Sequence, residues 1–131
     1  MSLVLDASAL IGWAMPDESG LDLDPALLRH DELLAPWLLW VELRNILLVS
    51  ERRGRLPAGM AEQLLGVFDA LAITLDTSPD SAVVIDLARR HGLTAYDALY
   101  LETALRHGAE LASLDRALLR AAGAEGVRVP G

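Results

Sequence analysis

Short apolar runs alternate along this chain with longer segments in which apolar residues recur at helical spacing. Continuous apolar runs of this length predict strands that are covered on both faces of a sheet. The runs fall at residues 2–5, 33–35, 72–75, 110–114 and 127–129. The segments between them predict helices, so we expect an α/β/α domain built on about five parallel strands.

Capping and helix-breaking residues set the expected boundaries of these helices. Asp24-Pro25 and Ser78-Pro79 are expected to cap and start helices, and residues 94–97 have the capping-box pattern. Gly92 and Gly108 are expected to end helices. The remaining helices are expected at residues 7–13, 36–53, 116–122 and from residue 57 onward, with a loop at residues 16–20.

Composition narrows the class of protein. The chain has 131 residues, of which 53% are hydrophobic, which suits a single domain over residues 1–131. No apolar run approaches the ~20 residues of a membrane span, and no signal peptide is evident. We therefore expect a cytoplasmic protein with no membrane partner. Because there is no cysteine, disulfides, zinc–thiolate sites and thiol catalysis are excluded.

Charge excludes further chemistry. All 11 basic residues are arginine, so the chain has no P-loop lysine, Schiff-base lysine or lysine general base. The net charge of −8 gives no long-range attraction to nucleic acid. Arg52, Arg53 and Arg55 form a small basic cluster that could contact phosphates, although a solvated helix end is the simplest interpretation.

Four acidic residues stand where a parallel sheet would bring them together. Asp6 and Asp115 each follow a predicted strand, and the carboxyl ends of parallel strands form the usual site edge. Asp97 lies in the first turn of a helix that we expect to start at the same edge. Glu42 lies about 9 Å along the helix that follows the second strand, and its long side chain leans back toward that edge.

This cluster predicts a cation site. Glu42 and Asn45 form a narrow polar stripe on an otherwise apolar helix, and a buried glutamate needs a partner. Two like charges about 4 Å apart repel by about 4 kcal/mol at an effective dielectric of 20. Because carboxylates are hard oxygen ligands, Mg²⁺ or Mn²⁺ suits them better than zinc.

Each acid also has a purely structural interpretation. Asp6 and Asp115 could each cap the helix that follows. Asp97 could serve simply as the acidic partner of Thr94 in the capping box. Glu42 could form a buried ion pair with an arginine from another segment. Structural roles are also expected for the tryptophans and histidines. Trp37 and Trp40 are expected in the core or at an interface, and helix C-terminal capping is expected for His30, His91 and His107.

The order of these motifs resembles the PIN domain family, and within it VapC-type toxins. Asp6-x-Ser8 follows the first strand, Glu42 and Asn45 share a long helix, Tyr96-Asp97-Ala98-Leu99-Tyr100-Leu101 opens a helix, and Ser113-x-Asp115 lies near the end. The resemblance spans nearly the whole chain. It implies a three-layer α/β/α PIN-like domain.

The resemblance also implies an activity. Such a protein is a Mg²⁺- or Mn²⁺-dependent endoribonuclease with one or two ions, in which a metal-activated water cleaves the RNA phosphodiester. Asp6, Glu42 and Asp97 would be the main metal-binding residues and Asp115 a fourth, with Ser8, Asn45 and Ser113 in support. A VapB-type antitoxin would block the site, and a homodimer is expected. Apolar residues on more than one face of the helix at 37–49 suggest a surface for one of these partners.

Three other functions fit parts of the sequence. A phospho-acceptor receiver-like domain has this size and alternation, but it normally needs paired acids after the first strand and a lysine near the end. A non-enzymatic protein-binding module would suit the acidic charge and the apolar helix. A PIN nuclease of RNA processing, outside toxin–antitoxin systems, would share the same four acids.

Overall fold

The computed structural model describes residues 1–15 and 22–130, and the loop expected at residues 16–20 lies outside them. The strands are β1 (Ser2–Leu5), β2 (Glu32–Pro36), β3 (Thr74–Asp76) and β4 (Glu110–Ala112). The helices are α1 (Ala7–Ala14), α2 (Asp24–Arg29), α3 (Leu38–Arg52), α4 (Met60–Ala70), α5 (Ser81–His91), α6 (Ala95–His107) and α7 (Arg116–Ala124). Within the described ranges, no helix has both the length and the hydropathy to cross a bilayer.

The four strands form one parallel sheet in the order β3-β2-β1-β4. Val4 on the central strand β1 is level with Leu34 of β2 and Leu111 of β4. Leu3, Val4 and Leu5 are fully buried, which explains why β1 is an uninterrupted apolar run. The parallel α/β arrangement expected from the sequence is confirmed.

The fifth strand expected at residues 127–129 does not form. This segment makes one backbone contact with the sheet, from the Leu111 N–H to the Arg128 carbonyl at 3.0 Å. Arg128 and Val129 are exposed, and Pro130 has no N–H to extend a ladder. One hydrogen bond without burial of alternate side chains does not make a strand, so the sheet ends at β4.

The boundaries of β2, β3 and β4 differ from the prediction. Ala72, where β3 was expected to start, has a φ of 54°, which is left-handed and incompatible with a strand. Pro36 was expected to open a helix but ends β2, and the next residue, Trp37, donates its N–H to the Asp76 carbonyl of β3 at 2.9 Å. β4 stops at Ala112, before the site residues that follow it.

Three helix starts also differ from the prediction. Asp80, rather than Ser78, caps α5, because its carboxylate accepts the N–H groups of the next turn. Asp24 is the first helical residue of α2 rather than its cap, and its carboxylate accepts a 2.9 Å hydrogen bond from the Trp13 indole. Helix α4 begins at Met60 rather than at residue 57. In each case the helix exists as predicted, but its first residue differs; α2 and α4 start without a side-chain cap.

Helix α6 lies across the sheet and contacts β4, β1 and β2. Asp97 lies in its first turn. Arg106 and His107 lie in its last turn and hydrogen-bond to Asp76 at the end of β3. Side chains from both ends of α6 therefore reach residues at the carboxyl ends of strands. The expected placement of Asp97 at this edge, beside Asp6 and Asp115, is matched by its position in the structure.

An arginine network fixes the far end of α6. The Arg106 guanidinium donates to Asp76 at 2.7 and 2.9 Å and to Glu102 at 2.7 and 3.1 Å. Glu102 is 1% exposed and also accepts the Asp80 N–H at 3.1 Å. The Arg106 hydrogen bonds hold the pKa of Asp76 well below its ordinary value of 3.8. This network joins β3, the start of α5 and the end of α6.

The three histidines follow one common pattern. Each stands at or just after a helix end, directly after an arginine, and both side chains of the pair reach one carboxylate from a distant segment. The pairs and their carboxylates are Arg29 and His30 with Glu110, Arg90 and His91 with Glu125, and Arg106 and His107 with Asp76. The expected capping role is met by His30, whose Nδ1 lies 2.6 Å from the Ala26 carbonyl.

Replacing Arg106 with methionine is expected to lower the free energy of unfolding by about 2 kcal/mol. Breaking a fully buried ion pair costs about 3–5 kcal/mol, and the Arg106 side chain is 31% exposed, which reduces that cost. The measurement is urea denaturation at pH 7. Arg120→Met, at an exposed position on α7, is the matched control and should change stability by less than about 0.5 kcal/mol.

The same variant should show a specific pH dependence. Because the folded-state pKa of Asp76 is depressed, its stabilising contribution is present above the ordinary value of 3.8 and is lost as the pH falls below it. The difference between wild type and Arg106→Met should therefore shrink below about pH 4. A difference that stays constant down to pH 3 would contradict the role of this network.

Candidate metal centre

The four predicted acids line one cavity of about 180 Å³ at the carboxyl edge of the sheet. They come from four separate segments: Asp6 from the end of β1, Glu42 from α3, Asp97 from α6 and Asp115 from the start of α7. The other lining residues are Ala7, Ser8, Ile46 and Tyr100. The sequence-based prediction that these acids meet is therefore matched by their positions in the structure.

Asp6 is the most deeply placed of the four acids. It is 5% exposed, and burial raises the pKa of its carboxyl above the ordinary value. Three donors oppose this shift: the Ala9 N–H at 2.9 Å, the Ser8 hydroxyl at 2.7 Å and the Ser113 hydroxyl at 2.5 Å. Asp6 therefore caps α1 and lines the cavity at the same time, so its structural and functional interpretations are compatible.

Ser8 and Ser113 connect Asp6 to the chain segment that carries Asp115. The Ser8 hydroxyl accepts the Leu114 N–H at 2.9 Å, and the Ser113 hydroxyl accepts the Asp115 N–H at 2.9 Å. The two hydroxyl oxygens lie 3.4 Å apart. Each hydroxyl thus donates to one oxygen of Asp6 and accepts from the turn after β4, which fixes the end of β1 against that turn.

Asp115 combines the same two roles. Its Oδ1 accepts the Leu118 N–H at 2.9 Å and caps α7, while the side chain lines the cavity. An N-cap needs only part of the acceptor capacity of a carboxylate. The capping interpretation from the sequence was therefore correct for Asp115 but incomplete.

The pKa of Asp97 reflects both its burial and the charges of the other three acids. Burial, and then the charges of Asp115, Asp6 and Glu42, raise the pKa of Asp97 to about 6. Its backbone N–H donates to the Thr94 hydroxyl at 3.2 Å. Among the described residues, the Thr94 N–H does not donate to the Asp97 carboxylate, so the reciprocal half of a capping box is absent.

Glu42 has a hydrogen-bond donor that the sequence analysis did not identify. In place of an arginine, the Tyr100 hydroxyl donates to Glu42 Oε1 at 2.5 Å. Burial, and then this hydrogen bond, raise the pKa of Tyr100 well above its ordinary value, so the hydroxyl remains a donor. The available signal was a tyrosine one helical turn after Asp97 on the same face, since a buried tyrosine hydroxyl needs a partner.

Four predicted residues lie away from the cavity. Asn45 is exposed and does not line it, although it follows Glu42 by nearly one helical turn. Arg52, Arg53 and Arg55 are also exposed. Arg52 is ten residues beyond Glu42, or about 15 Å along the axis of α3, so this basic cluster belongs to the other end of the helix.

The residues around the cavity suit a hard divalent cation. Among the described residues that line it, none is arginine or histidine, so nothing basic there offsets the carboxylates. In the described ranges, no three acidic or histidine side chains stand close enough together to hold a metal ion between them. Mg²⁺ commonly uses one or two carboxylates directly and keeps several waters, which fits acids that surround a cavity of this size.

Comparisons with known proteins agree with this site and fold. The PIN domain family model matches residues 3–124. Ribonuclease VapC3 from Pyrobaculum aerophilum is 35% identical over 124 residues, which cover 90% of this chain and 92% of that protein. The crystal structure of PAE2754 from Pyrobaculum aerophilum superposes with a TM-score of 0.74 at 28% identity, over 92% of this chain and 79% of that one.

A more distant structure shares the fold alone. FitAcB from Neisseria gonorrhoeae matches with a TM-score of 0.60 at 20% identity, over 98% of this chain and 96% of that one.

The match to the family model and the 35% identity to Ribonuclease VapC3 show that the chain belongs to the PIN domain family. Within that family it is a VapC-type member. The expected three-layer PIN-like fold is confirmed, with four strands in the described residues rather than about five.

Asp97→Asn is expected to stabilise the metal-free protein at pH 7 by about 1–2 kcal/mol. A carboxyl whose folded-state pKa is raised loses stability as the pH rises from about 4 to about 6. Each pKa unit corresponds to about 1.4 kcal/mol, and we discount the total because the side chain is only half-buried. The amide removes this cost, so the gain should vanish at pH 4.

Urea denaturation in EDTA at pH 7 and pH 4 measures this effect. Asp69→Asn, at an exposed position on α4, is the control and should change stability by less than about 0.5 kcal/mol. A loss of stability in Asp97→Asn at pH 7 would mean that neither burial nor the neighbouring carboxylates disfavour the ionised form of Asp97.

Proposed function

We propose that this chain is a Mg²⁺- or Mn²⁺-dependent endoribonuclease and the toxin of a type II toxin–antitoxin pair. The observation that carries the proposal is the convergence of four carboxylates on one cavity, with no basic residue among the described residues that line it. Membership of the PIN domain family and the similarity to Ribonuclease VapC3 support it.

In this proposal Asp6, Glu42 and Asp97 hold one or two cations, and Asp115 is the fourth acidic residue. The bound cation would supply an activated water and would stabilise negative charge that develops on the phosphate. Oxygen ligands of this type suit Mg²⁺ or Mn²⁺. Their different depths, from the buried Asp6 to the half-buried Asp97 and Asp115, leave one side of the cavity open to substrate.

The protein's own contribution is to hold these acids in place. Ser8 and Ser113 fix both oxygens of Asp6, which orients a candidate ligand before any cation binds. The Leu118 N–H fixes Asp115. Asn45 remains a candidate supporting residue next to Glu42, but its exposure favours contact with substrate over contact with the acids.

RNA binding has to overcome the net charge of −8. Since the described residues around the cavity bring no arginine, the phosphate at the site would be attracted by the bound cation. Arg52, Arg53 and Arg55, exposed at the far end of α3, are candidates for phosphate contacts several nucleotides away. A phosphate backbone recognised at such points is positioned without being read in sequence.

The partner surface in this proposal is the outer face of α3. Trp37, Trp40, Val41 and Leu48 are exposed apolar residues there, and Arg44 stacks on Trp40 with its guanidinium carbon 3.7 Å from the ring centroid. Apolar patches rimmed by polar residues mark interaction sites. We propose that a VapB-type antitoxin or a second copy of the chain covers it, in the cytoplasm.

Three other functions fit the observations less well. Membership of the PIN domain family argues against the receiver-like phospho-acceptor domain. A non-enzymatic binding module has no use for four carboxylates kept around one cavity. A PIN nuclease of RNA processing shares this site, and the toxin assignment is favoured by similarity over 92% of the length of Ribonuclease VapC3.

Purified protein should cleave cellular RNA into discrete fragments in Mn²⁺ and not in EDTA. Asp6→Asn should reduce the rate by about 100-fold or more, because loss of charge stabilisation worth about 3 kcal/mol or more corresponds to that factor. Fragment patterns on denaturing gels measure both effects. Asp69→Asn should cleave like the wild type, and cleavage that persists in EDTA or in Asp6→Asn would exclude this mechanism.

Expression of the chain alone should arrest growth of a bacterial host, and Asp6→Asn should remove this effect. Co-expression of the product of a small gene that precedes this one in its genome should restore growth. Colony counts after induction measure the outcome. Growth arrest that is unchanged in Asp6→Asn would assign the toxicity to something other than RNA cleavage.

A further inference from the structure

The carboxylate of Glu42 depends on one described donor. The helix around it is largely apolar, with buried Leu39, Leu43 and Leu47 on the core side. Among the described residues, the Tyr100 hydroxyl is the group that hydrogen-bonds to Glu42, at Oε1 and 2.5 Å. The second carboxylate oxygen of Glu42 accepts no hydrogen bond from the described residues, so it is available to a ligand in the cavity.

Tyr100 is itself firmly held. It is 2% exposed and belongs to the buried hydrophobic core of the domain. It follows Asp97 by three residues, so both side chains project from the same face of α6. One helix therefore carries a candidate cation ligand and the donor that fixes a second candidate ligand on α3.

We propose that Tyr100 is a positioning residue that orients Glu42 for the cation. The proposal deepens the proposed function and rests on its cation site. The hydroxyl occupies one oxygen of Glu42 and leaves the other to face the cavity. It also fixes the distance between α3 and α6, and so the spacing of Glu42 and Asp97.

A packing role alone would not require the hydroxyl. A phenylalanine ring would fill the same buried volume, and Glu42 is only half-buried, so water can reach its carboxylate. Removing the hydroxyl should therefore cost little stability. Residues that orient metal ligands typically change metal affinity or activity by about 10–100-fold when mutated, which separates the two roles.

The test is Mn²⁺ binding to Tyr100→Phe, measured by titration calorimetry at pH 7. We expect the apparent Kd to rise about tenfold and the urea midpoint to stay close to that of the wild type. RNA cleavage by the variant should recover when Mn²⁺ is raised by the same factor. Tyr96→Phe is the matched control, because Tyr96 is the other tyrosine of the chain and is 62% exposed on the same helix.

A second background tests whether Tyr100 acts through Glu42. In Glu42→Gln, the further change Tyr100→Phe should add little to the loss of Mn²⁺ affinity, since coupled residues are not additive. Equal Mn²⁺ affinity in wild type and Tyr100→Phe would overturn the proposal, and so would independent losses in the double variant. Wild-type protein that binds no Mn²⁺ would instead remove the cation site and the proposed function with it.

Nuclear magnetic resonance on the wild type covers the case in which Tyr100→Phe does not fold. With ¹³C-labelled tyrosine, the ring signals come from the chain's two tyrosines, and Tyr96→Phe assigns them. The Tyr100 signal should shift on Mg²⁺ addition with the same Kd that calorimetry gives for Mg²⁺ and the wild-type protein. A Tyr100 signal that does not move while the protein binds Mg²⁺ would overturn the proposal.

Discussion

The structure depends on how it distributes counter-charge among its carboxylates. Away from the cavity, arginines and histidines are paired with Asp76, Glu110 and Glu125. At the carboxyl edge of the sheet, Asp6, Glu42, Asp97 and Asp115 have no such partner among the residues that line the cavity. Parallel strands force their carboxyl ends to one edge, so the fold itself concentrates this negative charge. The rest of the molecule has to hold mutually repelling groups in place.

Hydroxyl groups and helix N-termini provide that restraint. Ser8, Ser113 and Tyr100 donate to the carboxylates of the cluster, and backbone N–H groups of α1 and α7 donate to Asp6 and Asp115, which cap those helices. These donors stabilise a carboxylate without neutralising it, whereas an arginine would compete with a cation for the same oxygens. In the proposed function, hydroxyls would therefore leave the carboxylates able to bind a hard cation, while the Arg106 network keeps the distant end of α6 fixed.

Much of the fold and site could be predicted because the signals were local. A run of buried residues defined β1, and strand ends placed Asp6 and Asp115. Features that depend on distant partners could not be predicted this way: the strand expected at residues 127–129 lacks a ladder, and Tyr100 is 58 residues from Glu42. Asn45 shows a limit of helical spacing, because residues three apart differ by about 60° around the axis, enough to separate a cavity side from a solvent side.

The charge of the cavity also links cation binding to RNA binding in the proposed function. A phosphate that approaches four carboxylates meets repulsion of about 4 kcal/mol for each group near 4 Å at an effective dielectric of 20. The chain's net charge of −8 adds to this, and its exposed arginines on α3 lie about 15 Å from Glu42. Contacts at those arginines lie too far away to offset this repulsion. In the proposed function, a cation that binds before, or together with, the scissile phosphate would offset it and would thus serve substrate binding as well as chemistry.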